Sequence, residues 1–486
     1  MLRPWKIVLS ERISAQKDVP LYLQIVYALI HEIQDGRLQP GVYLPSSREL
    51  AKTLGVNRKT IVLAYDDLVA QGWLESQGTR GTMVAANLPG QPTKPEVRSS
   101  PPQKAEFRFN AVAAKPFVLS GTDSLTFDEG TPDYRLFPTE ILARAYREAI
   151  TRARRRNRMR YGDPRGSLLL RERIAEMLSA QRGVTAHPDN ICITRGSQMG
   201  VSVAARVLLN PGDTVVMESL TYTPAADAFR AAGAKVLGVP LDGDGIDVEA
   251  VEQACRAHKV KAVFLTPHHQ FPTTVALRPK RRLRLLELAR QFGFAVIEDD
   301  YDHEYHFESQ PLLPMASYAP DRVIYIGSLS KLTLPSLRIG YLVAPVDVID
   351  AAATQIMTMD RQGNILTEEA VAELIDAGEL RRHARKTGLI YAERRLSFAQ
   401  SLRRHLGDEA VFDTPDGGLA FWVRFRDEAM LSRIQRGAVR ADIRFAPPDS
   451  YAVPPAIEMG LRLGFASLTE GEADEALSRL RAASEG

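Results

Sequence analysis

The sequence predicts a multidomain protein in which a small N-terminal α+β domain precedes a larger α/β domain. Three observations support this prediction. Helical periodicity and a closing hairpin pattern fill the first 86 residues, a proline-rich segment follows, and short apolar runs then alternate with helical stretches. The length of 486 residues also exceeds the roughly 100–200 residues that a single domain usually has.

The composition narrows the class of protein. The chain is 45% hydrophobic and 25% charged, which is enough apolar material for a large core, and its net charge of +3 is too small to indicate nucleic-acid binding by itself. Two cysteines, Cys192 and Cys255, predict neither a disulfide framework nor a metal site. No run of 18 apolar residues predicts a membrane span. We therefore expect a cytoplasmic protein that binds no metal and no membrane.

Residues 10–86 predict three helices and a hairpin. The stretch "PLYLQIVYALIHEIQDGRL" has an apolar stripe that includes Val26, Tyr27 and Ile30 and ends at Gly36. The stretches "SSRELAKTLGV" and "NRKTIVLAYDDLVAQGW" begin with serine and asparagine caps and end near glycines. Finally, "WLESQGTRGTMVA" has the pattern of two short strands around glycines. This order predicts a winged helix-turn-helix.

Polar residues stand where such a fold contacts DNA. The second helix of a helix-turn-helix presents its N-terminal residues to base edges, and here that helix opens with "NRKT". The alternative is a solvated helix start. However, "PSSRELA", "GVNRKT" and "QGTRGT" together resemble the winged-helix domain of the GntR family of bacterial regulators over about residues 18–86. The resemblance implies double-stranded operator DNA as a partner and implies these contacts: Arg48, Asn57, Arg58, Thr60, Tyr65, Arg80 and Thr82.

The segment 87–122 is predicted to be a linker. Its first twenty residues, "NLPGQPTKPEVRSSPPQKAE", contain five prolines and few large apolar side chains. Such a stretch cannot bury enough surface to offset the entropy of ordering it, and proline favours extended backbone. We therefore expect a semi-rigid connection, followed by a second domain over residues 123–486.

The second domain predicts a mostly parallel sheet covered on both faces. Short apolar runs bounded by turns or charges occur at "NICITRG", "DTVVMES", "KAVFLTP", "FAVIEDD" and "RVIYIGS". Helical stretches such as "RRLRLLELARQF" lie between some of them. Because ligands of such sheets bind at the carboxyl ends of the strands, residues just after these runs are candidates for a site.

The last of these runs ends in "GSLSK", which places Lys331 in a turn. A lysine in a largely apolar site has a lowered pKa and can form a Schiff base with an aldehyde. Gly327 suits a tight turn, the hydroxyls of Ser328 and Ser330 suit an oxyanion, and Arg338 suits a phosphate. A single lysine in a loop is more often a solvated charge, so further partners are needed.

Two other strand ends supply such partners. Asp299 in "FAVIEDDY" can pair with a protonated pyridine nitrogen, and Tyr301 can donate to the phenolic oxygen of the same ring. Alternatively, the acidic run only caps the strand. After "NICITRG", a helix that opens at Ser197 and Gln198 offers free N–H groups to a phosphate, and Tyr222 can stack on a planar ring.

Taken in this order, the motifs resemble the fold-type I aminotransferases over roughly residues 125–485. Further matching pieces are "YGDPRGSLLLRERIA" and "GLRLGFASL". The resemblance implies pyridoxal 5'-phosphate held by Lys331 as an internal aldimine. It also implies a homodimer, in which Tyr161 contacts the phosphate bound by the partner subunit, and a role for Arg462 in holding a substrate carboxylate. Both halves together resemble the MocR-type regulators of the GntR family.

One segment departs from the aminotransferase pattern. Aminotransferases usually carry Asn-Pro-Thr-Gly, whose asparagine contacts the ring oxygen, whereas this chain has "HHQFPTT". Phe271 stands before the proline and Thr274 replaces the glycine, and Gln270 is a possible substitute for the asparagine. Many fused regulators have a similar His-Gln-Phe-Pro version, so this segment favours regulation over efficient catalysis.

The sequence thus favours a regulator that depends on pyridoxal phosphate and senses a small amino compound or a form of vitamin B6. One alternative is an active aminotransferase that carries a DNA-binding head, and steady turnover of an amino donor would support it. Another is a DNA-binding protein whose large domain only dimerises, in which case the purified protein would be colourless.

Overall fold

The structure is a computed structural model that describes residues 19–89, 125–308, 312–453 and 460–485. The chain divides into two compact units, Met1–Pro116 and Phe117–Gly486. Beyond residue 89, the predicted linker 87–122 lies outside the described residues. Within the described ranges, no helix is both long enough and apolar enough to cross a membrane.

The N-terminal unit has the predicted three helices and hairpin. Ser46 caps the second helix with a capping box, because its hydroxyl accepts from the Glu49 amide while the Glu49 carboxylate accepts from the Ser46 amide. Gly55 ends that helix in the left-handed conformation, with a φ of 68°. The helices and antiparallel strands are Leu21–Gln34, Ser47–Leu54, Arg58–Ala70, Leu74–Ser76 and Thr82–Val84.

The core of this unit corrects one part of the predicted apolar stripe. Ile25, Val26, Leu29 and Ile33 are buried on the first helix, together with residues of the other two helices. Tyr27, by contrast, is 43% exposed. Its place in the stripe was wrong because the buried face of this helix includes Ile25 and Leu29, and Tyr27 points away from that face.

The second unit contains a seven-stranded sheet that is parallel over most of its width. All five predicted strands form. The sequence missed Lys235–Val239, an edge strand, and Gly340–Val343, which pairs antiparallel with both of its neighbours. In spatial order the strands are Ile191–Thr194, Gly340–Val343, Val323–Ser328, Ala295–Asp300, Val260–Leu265, Thr214–Glu218 and Lys235–Val239.

Helices cover both faces of this sheet, and two apolar clusters, one on each face, form its core. A third cluster belongs to the C-terminal part, where three helices pack on a three-stranded antiparallel sheet. That sheet comprises Ala410–Val411, Ala420–Phe425 and Gly460–Gly464. The helices of the unit are Thr139–Arg155, Leu168–Arg182, Ser197–Leu208, Thr223–Ala231, Val248–Ala257, Pro279–Phe292, Val346–Asp360, Ile365–Asp376, Glu379–Leu406, Glu428–Arg440 and Glu470–Glu485.

Four short strands complete the unit. Leu125–Thr126 pairs parallel with Ile443–Arg444, and Leu241–Asp242 forms a hairpin with Gly245–Ile246. The first of these pairs ties the start of the second unit to its C-terminal part. It therefore fixes the origin of the loop that follows Thr126.

Candidate functional site

A cavity of about 210 Å³ lies at the carboxyl ends of the central strands. Its lining brings together nine of the residues that the sequence singled out for a cofactor. These are Ser197, Gln198, Tyr222, Asp299, Tyr301, Ser328, Ser330, Lys331 and Arg338. The strands Ala295–Asp300 and Val323–Ser328 pair directly and in parallel, so Asp299 and the turn before Lys331 meet at one edge of the sheet.

Lys331 is half-buried in this cavity. Its Nζ donates to the carbonyl oxygen of Gly130 at 2.6 Å. Burial lowers the pKa of Lys331, against the attraction of Asp128, Asp302 and Glu129, which favours the charged amine. A primary amine that loses its proton more easily than usual is the form that attacks an aldehyde.

The acidic run of residues 298–300 divides between the two faces of its strand, because side chains alternate along a strand. Glu298 accepts from the amides of Met315 and Ala316 at 3.0 and 3.1 Å, and Asp300 accepts from Arg182 at 2.7 Å. Asp299 points to the opposite face. It is 3% exposed, and its Oδ1 has no hydrogen-bond partner among the described residues.

Asp299 and Asp300 differ in pKa because they lie on opposite faces of the strand and have different neighbours. Burial, with the nearby carboxylates of Asp300 and Asp302, raises the pKa of Asp299 to about 8. Burial opposes ionisation of Asp300 as well, but Arg182, His268 and His303 hold its pKa well below the usual range. Among the described residues, no cationic side chain pairs with the buried Asp299 carboxyl group.

The opposite end of the cavity is formed by closely approaching backbone. Gly196, with a φ of 77°, is the N-cap of the helix Ser197–Leu208 and supplies no side-chain cap. A Cβ at Gly196 would lie 2.8 Å from the Arg338 guanidinium, and one at Gly340 would lie 2.7 Å from the Gly196 backbone. Arg338 itself has a φ of 53° and donates to the Arg195 carbonyl at 2.7 Å.

Hydroxyl groups and amides complete this end. The Ser330 amide donates to the Ser328 hydroxyl at 3.2 Å, whereas the buried Ser330 hydroxyl has no partner in the described part of the chain. Gln198 donates to the Pro224 carbonyl at 2.9 Å. A helix N-terminus, free hydroxyls and a guanidinium together form a site suited to an anion such as phosphate.

Aromatic rings form the walls between the two ends. Tyr222 and Phe271 pack edge to face with their centroids 5.3 Å apart, and Phe271 packs in the same manner on Tyr301 at 6.2 Å. Burial raises the pKa of Tyr222 to about 12. The Tyr301 hydroxyl donates to the His269 carbonyl at 3.1 Å. A planar ring can therefore stack against this group of aromatic side chains, with Asp299 also in the lining of the cavity.

Gln270 does not take the place of the missing asparagine. Its amide nitrogen donates to the Leu220 carbonyl at 2.7 Å and to Glu218 at 3.1 Å. Its amide oxygen accepts from the hydroxyl and the amide of Thr273 at 2.6 and 3.0 Å. Gln270 is 1% exposed and holds the turn together, while the neighbouring Phe271 lines the cavity.

Two residues implied by the family resemblance lie off the cavity wall. Arg462 is 1% exposed, behind Phe271, and donates to the carbonyls of Pro272 and Glu129 at 2.8 and 3.1 Å and to the Tyr301 hydroxyl at 3.2 Å. Tyr161 is 78% exposed and does not line the cavity of its own chain. Neither residue therefore contacts the cavity interior directly within one chain.

The sequence also missed cavity residues. Glu129 and Thr131 lie in the loop after Leu125–Thr126, and Thr266, Phe271 and Pro335 complete the lining. The turn-forming stretch "DEGTPD" after a short strand was the available signal for Glu129, but nothing local shows that this loop returns to Lys331.

In the N-terminal unit, most predicted DNA contacts are accessible. Arg58, at the start of its helix, is exposed, and the Asn57 side chain caps that helix by accepting from the Lys59 amide at 2.9 Å. Arg48 and Arg80 are exposed, and Thr60 and Thr82 are half-buried. The Asn57 cap leaves only the nitrogen of its side-chain amide for a base or a phosphate.

Tyr65 is the exception among these residues. It is 6% exposed within the core of the unit, and its hydroxyl donates to the Pro45 carbonyl at 2.9 Å. The predicted DNA contact of Tyr65 is therefore wrong as a direct contact. The residue instead holds the helix Arg58–Ala70 against the segment that precedes Ser46.

Comparison with known proteins agrees with both units. Residues 21–84 match the family described as bacterial regulatory proteins, gntR family, and residues 123–480 match aminotransferase class I and II. Among solved structures, an alpha-aminoadipate aminotransferase (LysN) from Thermus thermophilus is 27% identical, with a TM-score of 0.69 over 75% of this chain and 93% of that chain. A Pyrococcus horikoshii kynurenine aminotransferase is 28% identical, with a TM-score of 0.67 over 75% and 91%.

Two transcription regulators are among the similar proteins, and the first of them matches both units. The probable rhizopine catabolism regulatory protein MocR of Rhizobium meliloti is 32% identical over 96% of this chain and 94% of its own length. The pyridoxine biosynthesis transcriptional regulator PdxR of Corynebacterium glutamicum is 30% identical over 74% of each chain. The chain therefore belongs to the MocR-type regulators of the gntR family, in which a winged helix-turn-helix is fused to an aminotransferase class I and II domain.

Proposed function

We propose that this protein regulates transcription by binding operator DNA through its winged helix, while the cavity around Lys331 holds pyridoxal 5'-phosphate and detects an amino compound or the cofactor itself. The observation that carries the proposal is the buried Asp299 carboxyl group, which has no partner for its Oδ1 in a cavity that also contains Lys331. A buried carboxylate is costly unless it meets a cation. The protonated ring nitrogen of the cofactor is such a cation.

The cavity residues fit this cofactor from one end to the other. When bound, pyridoxal phosphate supplies an aldehyde that condenses with primary amines. Lys331 presents an amine with a lowered pKa, and Asp299 holds a proton on the ring nitrogen. Tyr222 and Phe271 cover the ring. The phosphate would be bound by Ser197, Gln198, Ser328, Ser330 and Arg338.

Two features favour detection of a ligand over rapid turnover. Phe271 offers no hydrogen bond where aminotransferases usually place an asparagine, and the Tyr301 hydroxyl would reach the ring oxygen only by giving up its bond to the His269 carbonyl. Arg462, the residue implied for a substrate carboxylate, already donates to three protein oxygens. An incoming amine can compete with Lys331 without these groups, and that competition is sufficient for a signal.

We also propose a homodimer with separate functional units at 10–86 and 123–486, joined by a linker over 87–122. Tyr161, which is 78% exposed, supports the dimer, because a side chain that is remote from its own cavity remains free to reach the phosphate bound by the partner subunit. The two winged helices of the dimer would then bind the two half-sites of the operator. The exposed Arg48, Arg58 and Arg80 supply the cations that phosphates and base edges require.

Lys331→Ala tests the proposal. Borohydride reduction of the wild-type protein with bound cofactor should fix the cofactor on the peptide that contains Lys331, as read by mass spectrometry. The variant should give no such product, should bind operator DNA as the wild type does, and should lose the response to amines. Lys280→Ala, on an exposed face of the helix Pro279–Phe292, is the matched control and should behave as wild type. Attachment of the cofactor to another lysine would refute the assignment.

A further inference from the structure

We propose that the ligand recognised by this cavity is a primary amine that carries a second cationic group, and that Glu129 binds this second group. The inference rests on the proposed function, since it assumes that the first amine of the ligand is the one that competes with Lys331. It adds a chemical class, which includes diamines and basic amino acids, and it assigns a specificity-determining residue.

The loop that carries Glu129 is held in place on both sides. Asp128 accepts from the amides of Gly130 and Thr131 at 2.8 and 2.6 Å and from the Ser467 hydroxyl at 2.7 Å. In addition, Lys331 Nζ donates to the Gly130 carbonyl and Arg462 Nε donates to the Glu129 carbonyl, at 2.6 and 3.1 Å. The backbone around Glu129 is therefore fixed by the lysine and arginine of the site. Its side chain lines the cavity as a consequence.

Glu129 lines the cavity with an exposed side chain. Among the described residues, no cationic side chain lies within 4.0 Å of it to form an ion pair. Partial burial raises the pKa of Glu129, whereas the charges of Arg462 and Lys331 and the Tyr451 hydroxyl act in the opposite direction. The carboxyl group is therefore an acceptor that remains available inside the cavity.

A second acceptor lies beside it. Tyr451 is 1% exposed, and its hydroxyl lies beside the Glu129 carboxylate, where it acts as a donor. Its ring packs edge to face on Phe271 with centroids 5.7 Å apart. A hydroxyl that donates to a carboxylate keeps its own oxygen as an acceptor, and this pair suits an ammonium group, which has several hydrogens to donate.

The cofactor would compensate the charges of Asp299 and Arg338 but not the charge of Glu129. Asp299 faces the ring nitrogen, Arg338 faces the phosphate, and Arg462 donates to three protein oxygens. A cation beside Glu129 would gain a charge-assisted hydrogen bond, roughly twice as strong as a neutral one. A ligand with only one amine would leave this carboxylate with only the more distant charges of Arg462 and Lys331.

The test compares ligands that differ only in the second cationic group. Cadaverine and n-pentylamine have the same carbon chain, as do lysine and norleucine. Full-length protein loaded with cofactor is titrated with each amine, and dissociation constants are obtained both from cofactor absorbance and by calorimetry. We expect cadaverine to bind roughly three- to fivefold more tightly than n-pentylamine, because an ion pair with an exposed carboxylate has about that effect. Lysine should exceed norleucine in the same way.

Glu129→Gln should reduce each preference to roughly twofold or less while n-pentylamine binds as before, because the neutral amide keeps the shape of the side chain but removes its charge. Glu287→Gln, an exposed glutamate on the helix Pro279–Phe292, should keep the wild-type preference. Equal binding of cadaverine and n-pentylamine by the wild-type protein overturns the proposal without any variant, as does a preference that survives in Glu129→Gln. Failure of the function proposed above would differ, since no amine would then change the absorbance and no cofactor would be fixed on Lys331.

Discussion

The substitution Asp299→Asn should stabilise the cofactor-free protein and weaken its hold on the cofactor. Asp299 is buried with no partner for Oδ1, so in the absence of a cation it opposes folding. Asparagine keeps the shape of the side chain but has no charge to bury. The neighbouring Asp300→Asn is the matched control, because Asp300 receives hydrogen bonds from Arg182 and Tyr325 at 2.7 and 2.6 Å.

The size and the pH dependence of the effect follow from the pKa of Asp299. The folded cofactor-free protein binds the Asp299 proton with a pKa of about 8, against an ordinary value of 3.8. At about 1.36 kcal/mol per pH unit, this gap sets an upper limit of ~6 kcal/mol. Below pH 3.8 the side chain is protonated in both states, and stability is unaffected. As the pH rises the unfolded chain loses its proton first, so the wild type loses stability until about pH 8 and then no further.

Asp299→Asn should therefore exceed the wild type in stability by an amount that grows from pH 4 to pH 8. We expect about 1–3 kcal/mol at pH 8, because relaxation and water entry lower the cost of a buried charge. Asp300→Asn should instead lose roughly 3–5 kcal/mol, since Arg182 would be left buried without its counter-charge.

Denaturant unfolding of cofactor-free protein at several pH values measures the stability of each variant, and equilibrium dialysis with pyridoxal phosphate measures retention of the cofactor. A loss of stability in Asp299→Asn at pH 8, or unchanged cofactor affinity, would refute the reasoning. If Asp300→Asn were the variant that lost the cofactor while keeping its stability, the carboxylate would have been assigned one residue out of place.

Two further predictions concern the N-terminal unit. Tyr65→Phe removes the hydrogen bond to Pro45 and should lower the free energy of unfolding of this unit by about 1 kcal/mol. Operator affinity at fixed salt should not change. Weaker DNA binding without loss of stability would instead show that Tyr65 contacts DNA directly. Arg58→Ala should weaken operator binding by roughly 1–3 kcal/mol if the contact is to a base, with no change in cofactor absorbance; equal affinity in a titration at fixed salt would show that this helix does not read the operator.

The parts of the fold with local signals were predictable from the sequence. Neighbouring residues determine the helix caps at Ser46 and Asn57 and the hairpin around Gly78. The five apolar runs form strands, as predicted. The strand Gly340–Val343 escaped prediction because its antiparallel place between two strands depends on pairing with residues distant in the chain.

In the candidate site, too, residues with a local sequence signal were predictable, and residues whose role depends on distant parts of the chain were not. Asp299 and Lys331 could be found because each follows an apolar run, and strand ends of a parallel sheet meet at one edge. The reason given for Gly327 was wrong: it lies within the strand Val323–Ser328, and a Cβ there would collide with the Tyr341 ring, so close packing and not a turn requires the glycine. Tyr65 has an amphipathic side chain whose sequence position does not reveal whether it faces DNA or the core.

The crowded backbone around Gly196 and Gly340 has a consequence for how such proteins diverge. An added methyl group would meet the Gly196 main chain at Gly340 and the Arg338 guanidinium at Gly196, so a substitution at either glycine disturbs the anion site. By contrast, Glu129 lines the cavity with an exposed side chain, which can be exchanged without disturbing the core. Lineages that descend from a common ancestor would therefore keep the phosphate end constant and acquire new ligand preferences one residue at a time at the loop of Glu129.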